Sequence, residues 1–461
     1  MAKTKILATL GPASWDKLED MIRAGLDGFR INMSHVKEYG PAAKLISDIR
    51  KKAPYAFIAA DLEGPKIRLG TLAQPLPIEK GQGVKIAPQS ECPEGCVPIQ
   101  VEHVYKHVAP GNMLLINDGA VGLQVTDIKD KIIYTNVLFG MQLESRKGVN
   151  IPEAYVPMQF LSAKDKANLD FLVQQGVDYV SASFTQNADN LKELRTHMGD
   201  SKIKIIAKIE NPEGLKNFDA ILEYTDAVMV ARGDLGMEIG PIYVPEQQKM
   251  MISKCNRAGK MVITATQMLE SMMNGLEPKR AEVSDIFNAV LDGTDVVMLS
   301  GETSVGQYPV EAIDVMNKTL ERAELYFKNS GRSRELADRI IPYLGNTPED
   351  VVSGAVDAAV RTNGIGAIIT PTTSGYTTQR VARFRLDVPI IALTPDEVIA
   401  RQLNAVWGVQ AYHAELNRSS LVKESLQYVS ANNLIPKETQ VVVVSGTKTG
   451  TTDTMQIAVV E

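Results

Sequence analysis

Short apolar runs that stop abruptly in polar residues or glycine recur through the first two-thirds of the chain. They are KILATLGPAS, GFRINMSH, FIAADLEG, YVSASF, IKIIAKIEN, AVMVARGDLG, MVITATQM and VVMLSGET, eight in all. Most are separated by segments such as LEDMIRAGL, AKDKANLDFLVQQG and PEQQKMMISKCNRAG, in which apolar residues return at helical spacing. Strands alternating with helices require right-handed crossovers and a parallel sheet. Eight such units predict an α/β fold, a closed (β/α)8 TIM barrel, whose reactive groups lie where strands end on the C-terminal face. The alternative, an open doubly wound sheet, seldom has eight strands that all finish in chemically capable groups.

The rhythm breaks once. After DLEGPKIRLG, helical periodicity is lost and short β-like runs follow, GVKIAP, NMLLIND, VGLQVTDI and KIIYTNVLFG, split by Gly, Pro and Asp turns. Residues 71–149 therefore read as a small β-barrel domain inserted after the third strand, on the reactive face, where it could close as a lid. The barrel then comprises residues 1–70 and 150–325. Residues around 325–345 (YFKNSGRSRELADRIIP) read as a helix tail and connector. Beyond them GAIITPTTSG, PIIALTP, VQAYHAE and QVVVVSGTKTG alternate with helices such as EVIARQLNAVWG. Residues 340–461 thus predict an open-sheet α/β domain.

Composition narrows the function classes. A chain of 461 residues exceeds one ordinary domain. Its net charge of −6 gives no bulk attraction to nucleic acid or anionic membrane. The amino-terminal MAKTKILATLGPAS has too short an apolar run for a secretory signal, and no stretch approaches a bilayer span. A cytoplasmic protein is expected. Cys92 and Cys96 read as free thiols, a local disulfide being the alternative.

The strand ends supply the chemistry. In AKIEN, Lys208 and Glu210 share one face because strand side chains alternate with period two. Alone, that reads as an ordinary ion pair. The next run ends in ARGDLG, however, and brings Asp234 alongside Glu210. Two carboxylates near a lysine make a hard-oxygen site suited to Mg²⁺, which keeps waters for substrate phosphates. Gly233 and Gly236 let backbone N–H groups approach an anion. Thr266 and Gln267 end the seventh run, Ser300 and Glu302 the eighth, and Arg30, Asn32, Ser34 and His35 the second. Cations, carboxylates and a metal converging in this way suit phosphoryl transfer, in which catalysis is mostly positioning and charge neutralisation.

At this point the sequence resembles the pyruvate kinase family. The strings ATLGPAS, RINMSH, GPKIR, KGVNIP, IAKIEN, VARGDLG, CNRAGKMVITATQMLESM, RAEVSDIFNAVLDGTD and MLSGETSVGQYP carry the resemblance, in order, almost end to end. It implies transfer of the phosphoryl group of phosphoenolpyruvate to ADP, giving ATP and an enolate that is protonated to pyruvate. It implies Glu210 and Asp234 as ligands of Mg²⁺, for which Mn²⁺ can substitute, and Lys208 at the moving phosphoryl group. Arg30 would grip the phosphate. Thr266 would face the enolate, with Ser300 and Glu302 behind it in a proton relay. Backbone N–H groups of Gly233 and Asp234 would hold the substrate carboxylate, and His35, Arg68 and Lys147 would contact the nucleotide. The inserted domain would be the family's lid, and a homotetramer the expected assembly. The rival enzyme class, a Mg²⁺-dependent barrel lyase or aldolase acting through a pyruvate enolate, would share the carboxylates without needing ADP.

Two further expectations concern ions. Many family members hold K⁺ with oxygens matching Asn32, Ser34, Asp61 and the backbone carbonyl of Leu62. They commonly carry threonine at position 62 and glutamate at position 66, where this chain has Leu62 and Lys66. Lys66 is therefore expected to replace the monovalent cation, so that K⁺ is not required; a surface pair with Glu63 is the plainer alternative. In TPTTSGYTTQRVARFR, Thr372, Thr373, Ser374 and Thr377 around Gly375 resemble the family's effector-phosphate loop, and SGTKTGTTDTM its second loop. A phosphorylated effector or inorganic anion is expected there, a self-satisfied helix cap being the alternative.

Overall fold

In the computed structural model, which describes residues 2–152, 154–345, 347–362, 364–446 and 451–461, the eight apolar runs form eight strands. They are β1 (Lys5–Thr9), β2 (Gly28–Asn32), β3 (Phe57–Asp61), β4 (Tyr179–Ala182), β5 (Lys204–Ile209), β6 (Ala227–Ala231), β7 (Met261–Ala265) and β8 (Val296–Leu299). All pair in parallel, in the closed order β1-β8-β7-β6-β5-β4-β3-β2.

Period-two alternation sorts each strand into two faces. Leu7, Phe57, Tyr179, Ile206, Met229, Ile263 and Met298 pack together inside the barrel. Ile6, Phe29, Ile58, Val180, Ile205, Val228, Val262 and Val297 pack with the surrounding helices. The Phe57 ring fills the floor so closely that a Cβ at Gly28 would lie 2.3 Å from it. Continuing the inner register upward, Ala59 leads to Asp61, Ile206 to Lys208 and Glu210, and Gly28 to Arg30 and Asn32. The polar strand ends are the inner register carried past the apolar plug.

The helices begin and stop where local chemistry directs. Ser162 caps the helix Ala163–Gln175 by accepting from Asp165 N, and Gly176 ends it with φ 62°. The helix Val244–Ala258 has Pro in its first turn and ends at Gly259.

Between β3 and β4 lies a six-stranded sheet, running in order 149–150, 113–116, 121–129, 132–139, 83–88 and 97–99. Arg68 and Leu69 bridge its two edges, to Gly148 and Ile99 respectively, so single bridges rather than a full ladder close it toward a barrel. Its own apolar core includes Ile86, Leu114, Leu123 and Ile133. The final sheet has four parallel strands, 367–371, 390–394, 409–413 and 440–445, plus 454–459 antiparallel at one edge.

Two local expectations change. Residues 332–340, read as connector, form a helix that buries Leu336, Ala337 and Ile340; the charge-dense RSRELADR conceals that narrow apolar stripe. Thr454 and Met455, read as effector loop, open the last strand because pairing with 440–445 overrides their loop-like composition. Residues 447–450 of the same segment lie outside the described residues. Among the described residues no helix is long and apolar enough to cross a membrane. Cys92 and Cys96 are free thiols, the Cys92 sulfur lying 3.5 Å from Cys96 O.

Candidate active site

Asp61, at the end of β3, is the hub of the barrel mouth. Its Oδ2 accepts from Arg30 Nη2 at 2.9 Å and lies 3.1 Å from Lys208 Nζ. Burial would raise its carboxyl, but Arg30 and Lys208 override that and hold it well below the usual carboxylate range. Arg30 also donates to Thr9 Oγ1 at 2.8 Å, which ties β1, β2 and β3 together.

Lys208 Nζ lies 3.0 Å from Glu210 Oε1 and donates to Ser183 Oγ at 3.0 Å. Burial would lower its pKa, yet the Glu210 and Asp61 carboxylates carry it well above the ordinary lysine value. It is therefore a permanent cation in a nearly dry site. The other oxygen of Glu210 accepts from Phe184 N at 2.6 Å, an amide aimed there by the left-handed backbone of Phe184, φ 56°.

Glu210 directly follows β5, whereas Asp234, expected on the neighbouring strand, lies one step further on, in the first turn of the short helix Arg232–Ile239 that begins where β6 stops at Ala231. Burial pushes the Glu210 carboxyl up; Lys208 opposes this, and the negative charge of Asp234 adds to it. A divalent cation between like charges would relieve that repulsion. Among the described residues no three His, Cys, Asp or Glu side chains converge on one point. Carboxylate oxygens such as those of Glu210 and Asp234 are hard ligands of the kind a divalent cation shares with water and substrate oxygens.

Lys66 reaches Asp234 Oδ1 at 2.7 Å and approaches Asp118 Oδ1 of the inserted sheet at 3.9 Å, with Phe184's ring centroid 5.5 Å away. Gly148 lies against its stem, where a Cβ would come within 2.6 Å of Lys66 Cε. The plainer pairing of Lys66 with Glu63 does not form. Glu63 pairs instead with Arg68 at 3.2 Å and Lys164 at 3.0 Å. Nor does Lys66 hydrogen-bond to the expected cation-site oxygens. Asn32 accepts from Ser34 N at 3.1 Å, and the Leu62 carbonyl accepts from Ser183 Oγ at 2.8 Å.

Across the mouth, Thr266 Oγ1 accepts from Gly233 N at 2.9 Å. Thr266 and Gln267 have φ 70° and 55°. Left-handed backbone in a β-branched residue costs on the order of 1–3 kcal/mol and persists only where surroundings enforce it. Ser300 and Glu302 are not hydrogen-bonded to Thr266. The buried Glu302 carboxylate accepts from Ser300 N at 2.7 Å and Leu269 N at 3.1 Å, and so anchors the loop after β7.

The expected nucleotide residues are spread around the rim. His35 is exposed after β2, Arg68 donates to Arg146 O at 3.3 Å, and Lys147 pairs with Glu144 at 3.1 Å. Sequence reasoning missed Thr9, Asp118, Ser183, Phe184 and Arg232. Ser183 and Arg232 stand inside strand-end strings already singled out, where any polar side chain following an apolar run is a candidate.

In the final sheet, a pocket of about 170 Å³ is lined by Thr372, Thr373, Ser374, Thr377, Arg418 and neighbours. Thr372 Oγ1 accepts from Gly375 N at 2.9 Å, and Gly375 has φ 81°. Thr377 is buried, its hydroxyl bonded to that of Thr452.

Comparison with known proteins gives a consistent picture. The model of the pyruvate kinase barrel domain matches residues 1–313, and that of the pyruvate kinase alpha/beta domain residues 349–458. A pyruvate kinase of Clostridium acetobutylicum is 39% identical over 478 residues, covering 100% of both chains. One from Agrobacterium vitis is 38% identical, covering 96% of this chain and 93% of that one. The crystal structure of a pyruvate kinase from Cryptosporidium parvum superposes with a TM-score of 0.92 at 35% identity, covering 100% of this chain and 96% of that one.

Proposed function

The chain belongs to the pyruvate kinase family, and from that premise we propose how its own residues divide the transfer of a phosphoryl group from phosphoenolpyruvate to ADP. The observation that carries the reading is the buried Lys208 ammonium, flanked by Asp61, Glu210 and the Arg30 guanidinium at the barrel mouth. Two fixed cations there would meet the phosphate oxygens without reorganising during the reaction. Arg30 grips the phosphate, and Lys208 neutralises the group in flight and the enolate oxygen it leaves. Glu210 and Asp234 would hold Mg²⁺ or Mn²⁺, which supplies charge neutralisation and alignment of substrate oxygens. The backbone N–H groups of Gly233 and Asp234 take the substrate carboxylate, so Gly233 exchanges its bond to Thr266 for one to substrate. Thr266 then delivers a proton to the enolate carbon, while Glu302 holds the loop after β7 through Leu269 N and Ser300 N. His35, Arg68 and Lys147 receive the nucleotide.

In this reading residues 71–149 act as the lid over residues 1–70 and 150–325. Residues 340–461 form the regulatory unit, in which Thr372, Thr373, Ser374 and Gly375 accept an anionic effector beside Arg418. Lys66 supplies a fixed positive charge beside Asp234, so K⁺ is dispensable. Homotetrameric assembly and a cytoplasmic location complete the proposal. The metal assignment is tested by Mn²⁺ binding, read by electron paramagnetic resonance. Glu210→Gln or Asp234→Asn weakens it by roughly ten-fold or more; unchanged binding in both removes the pair as ligands.

A further inference from the structure

The strained backbone at Thr266 is held from one direction. Arg232, immediately after β6, donates from Nε to Ala265 O at 3.2 Å and from Nη2 to Thr266 O at 2.6 Å. Its guanidinium thus grips the carbonyls on both sides of the Thr266 Cα. The next residue, Gly233, donates its N–H to Thr266 Oγ1 at 2.9 Å. Without substrate the Thr266 oxygen accepts from Gly233 and its hydroxyl donates to Ala265 O at 2.6 Å; once Gly233 turns to substrate, the Arg232 clamp is what still holds the threonine backbone.

Arg232 is itself braced from outside the barrel. Its Nη1 lies 2.7 Å from Asp285 Oδ2 on the helix Arg280–Asp292 and donates to Gln248 Oε1 at 3.3 Å on the helix Val244–Ala258. Gln248 in turn donates to Asp292 at 3.3 Å. Arg232 is buried, so these bonds are little diluted by water. A guanidinium presents its donors as a rigid planar fork, which sets two carbonyl directions at once; a lysine ammonium is a point charge on a flexible stem.

We propose that Arg232 is a positioning residue for proton delivery: by clamping the peptide groups around Thr266 it aims the Thr266 hydroxyl at the enolate carbon. The inference rests on the reading of Thr266 as the delivering group. In that step the Thr266 O–H bond breaks and a C–H bond forms at the enolate carbon. The electron pair of the carbon–carbon double bond makes the new C–H bond, and the enolate oxygen becomes the ketone oxygen. Run backward in D₂O, the step replaces a methyl proton of pyruvate by deuterium, and no oxidant or reductant is required.

The test measures that exchange by proton NMR, using the full chain with pyruvate, Mg²⁺ and ATP, for Thr266→Ala, Arg232→Lys, Arg232→Met and the Arg232→Lys/Thr266→Ala double variant. Thr266→Ala slows exchange by roughly 100-fold. Arg232→Lys slows it by roughly ten-fold or more while the KM for phosphoenolpyruvate stays within about three-fold. The double variant is no slower than Thr266→Ala alone, because both changes remove one function. If Arg232→Met does not fold, Asp285→Asn takes its place, loosening the brace without deleting the guanidinium, with a smaller loss of the same kind. Normal exchange in Thr266→Ala overturns the Thr266 reading and the inference with it. A slow Thr266→Ala beside a normal Arg232→Lys, or multiplicative losses in the double variant, overturns the Arg232 role alone. So does an Arg232→Lys enzyme whose exchange and substrate KM deteriorate together.

Discussion

Replacing Lys208 by Met keeps the stem and deletes the ammonium. Asp61 would retain Arg30 at 2.9 Å. Glu210 would retain the Phe184 N–H at 2.6 Å but lose the cation 3.0 Å away. At that separation and an effective dielectric near 20, the attraction removed is about 5.5 kcal/mol before solvation is counted. The net cost of breaking a buried pair is about 3–5 kcal/mol. Glu210 can limit the loss by taking up a proton, because burial already raises its carboxyl and Lys208 is the cation opposing that rise. A carboxyl whose folded pKa exceeds the unfolded value, about 4.3, favours the fold at low pH and loses that contribution as pH rises through the folded pKa. The Met variant should therefore be less stable than the wild type at pH 8, by about 3 kcal/mol in chemical denaturation, with a smaller gap at pH 6. Turnover with phosphoenolpyruvate and ADP should fall by roughly 100-fold or more, while Mn²⁺ still binds at Glu210 and Asp234. A variant keeping more than about a tenth of wild-type turnover, a loss under about 1.4 kcal/mol, refutes the assigned role. A stability gap that ignores pH refutes the electrostatic reasoning.

Three other outcomes follow from the same geometry. The unmodified enzyme should be fully active with a bulky tetraalkylammonium as the sole monovalent cation, whereas Lys66→Glu, which sets a like charge against Asp234, should weaken activity and make the remainder respond to K⁺; strong K⁺ activation of the wild type contradicts this. Thr373→Asp with Ser374→Asp should abolish activation by sugar phosphates or inorganic phosphate and leave basal turnover unchanged, and an effector response that persists would place the effector elsewhere. That pair is preferred to Thr377, whose buried hydroxyl is committed to Thr452. Asp61→Asn tests the acid limb. The depressed Asp61 carboxyl stabilises the fold above its unfolded value, about 3.9, and loses that contribution as pH falls toward the folded one, so the stability gap between wild type and variant should shrink below pH 4.

Strand ends were the legible part of this molecule, for a geometric reason. In a closed parallel barrel the inner register of every strand leads to one mouth, so Arg30, Asp61, Lys208 and Glu210 could be gathered from three strand-end strings, with Asp234 just beyond the end of β6 in a fourth. Contacts that depend on how separate sheets meet were not legible. Lys66 bonds to Asp234 from 168 positions away, and the Asp118 beside it arrives on a turn of the inserted sheet. Arg232 escaped for a different reason. It stands in a strand-end string, yet it turns away from the mouth to the loop after β7 and braces it. Thr377 shows the converse: a hydroxyl-rich turn suggests an anion nest, but burial against Thr452 removes that hydroxyl from the count.

The most direct test of phosphoryl transfer to ADP is phosphorus NMR of the purified protein with phosphoenolpyruvate, ADP and Mg²⁺, followed in time. The phosphoenolpyruvate resonance should fall as the γ-phosphate of ATP rises in equal amount, with nothing happening until ADP is added. Inorganic phosphate appearing in place of ATP, or pyruvate forming without ADP, would contradict it.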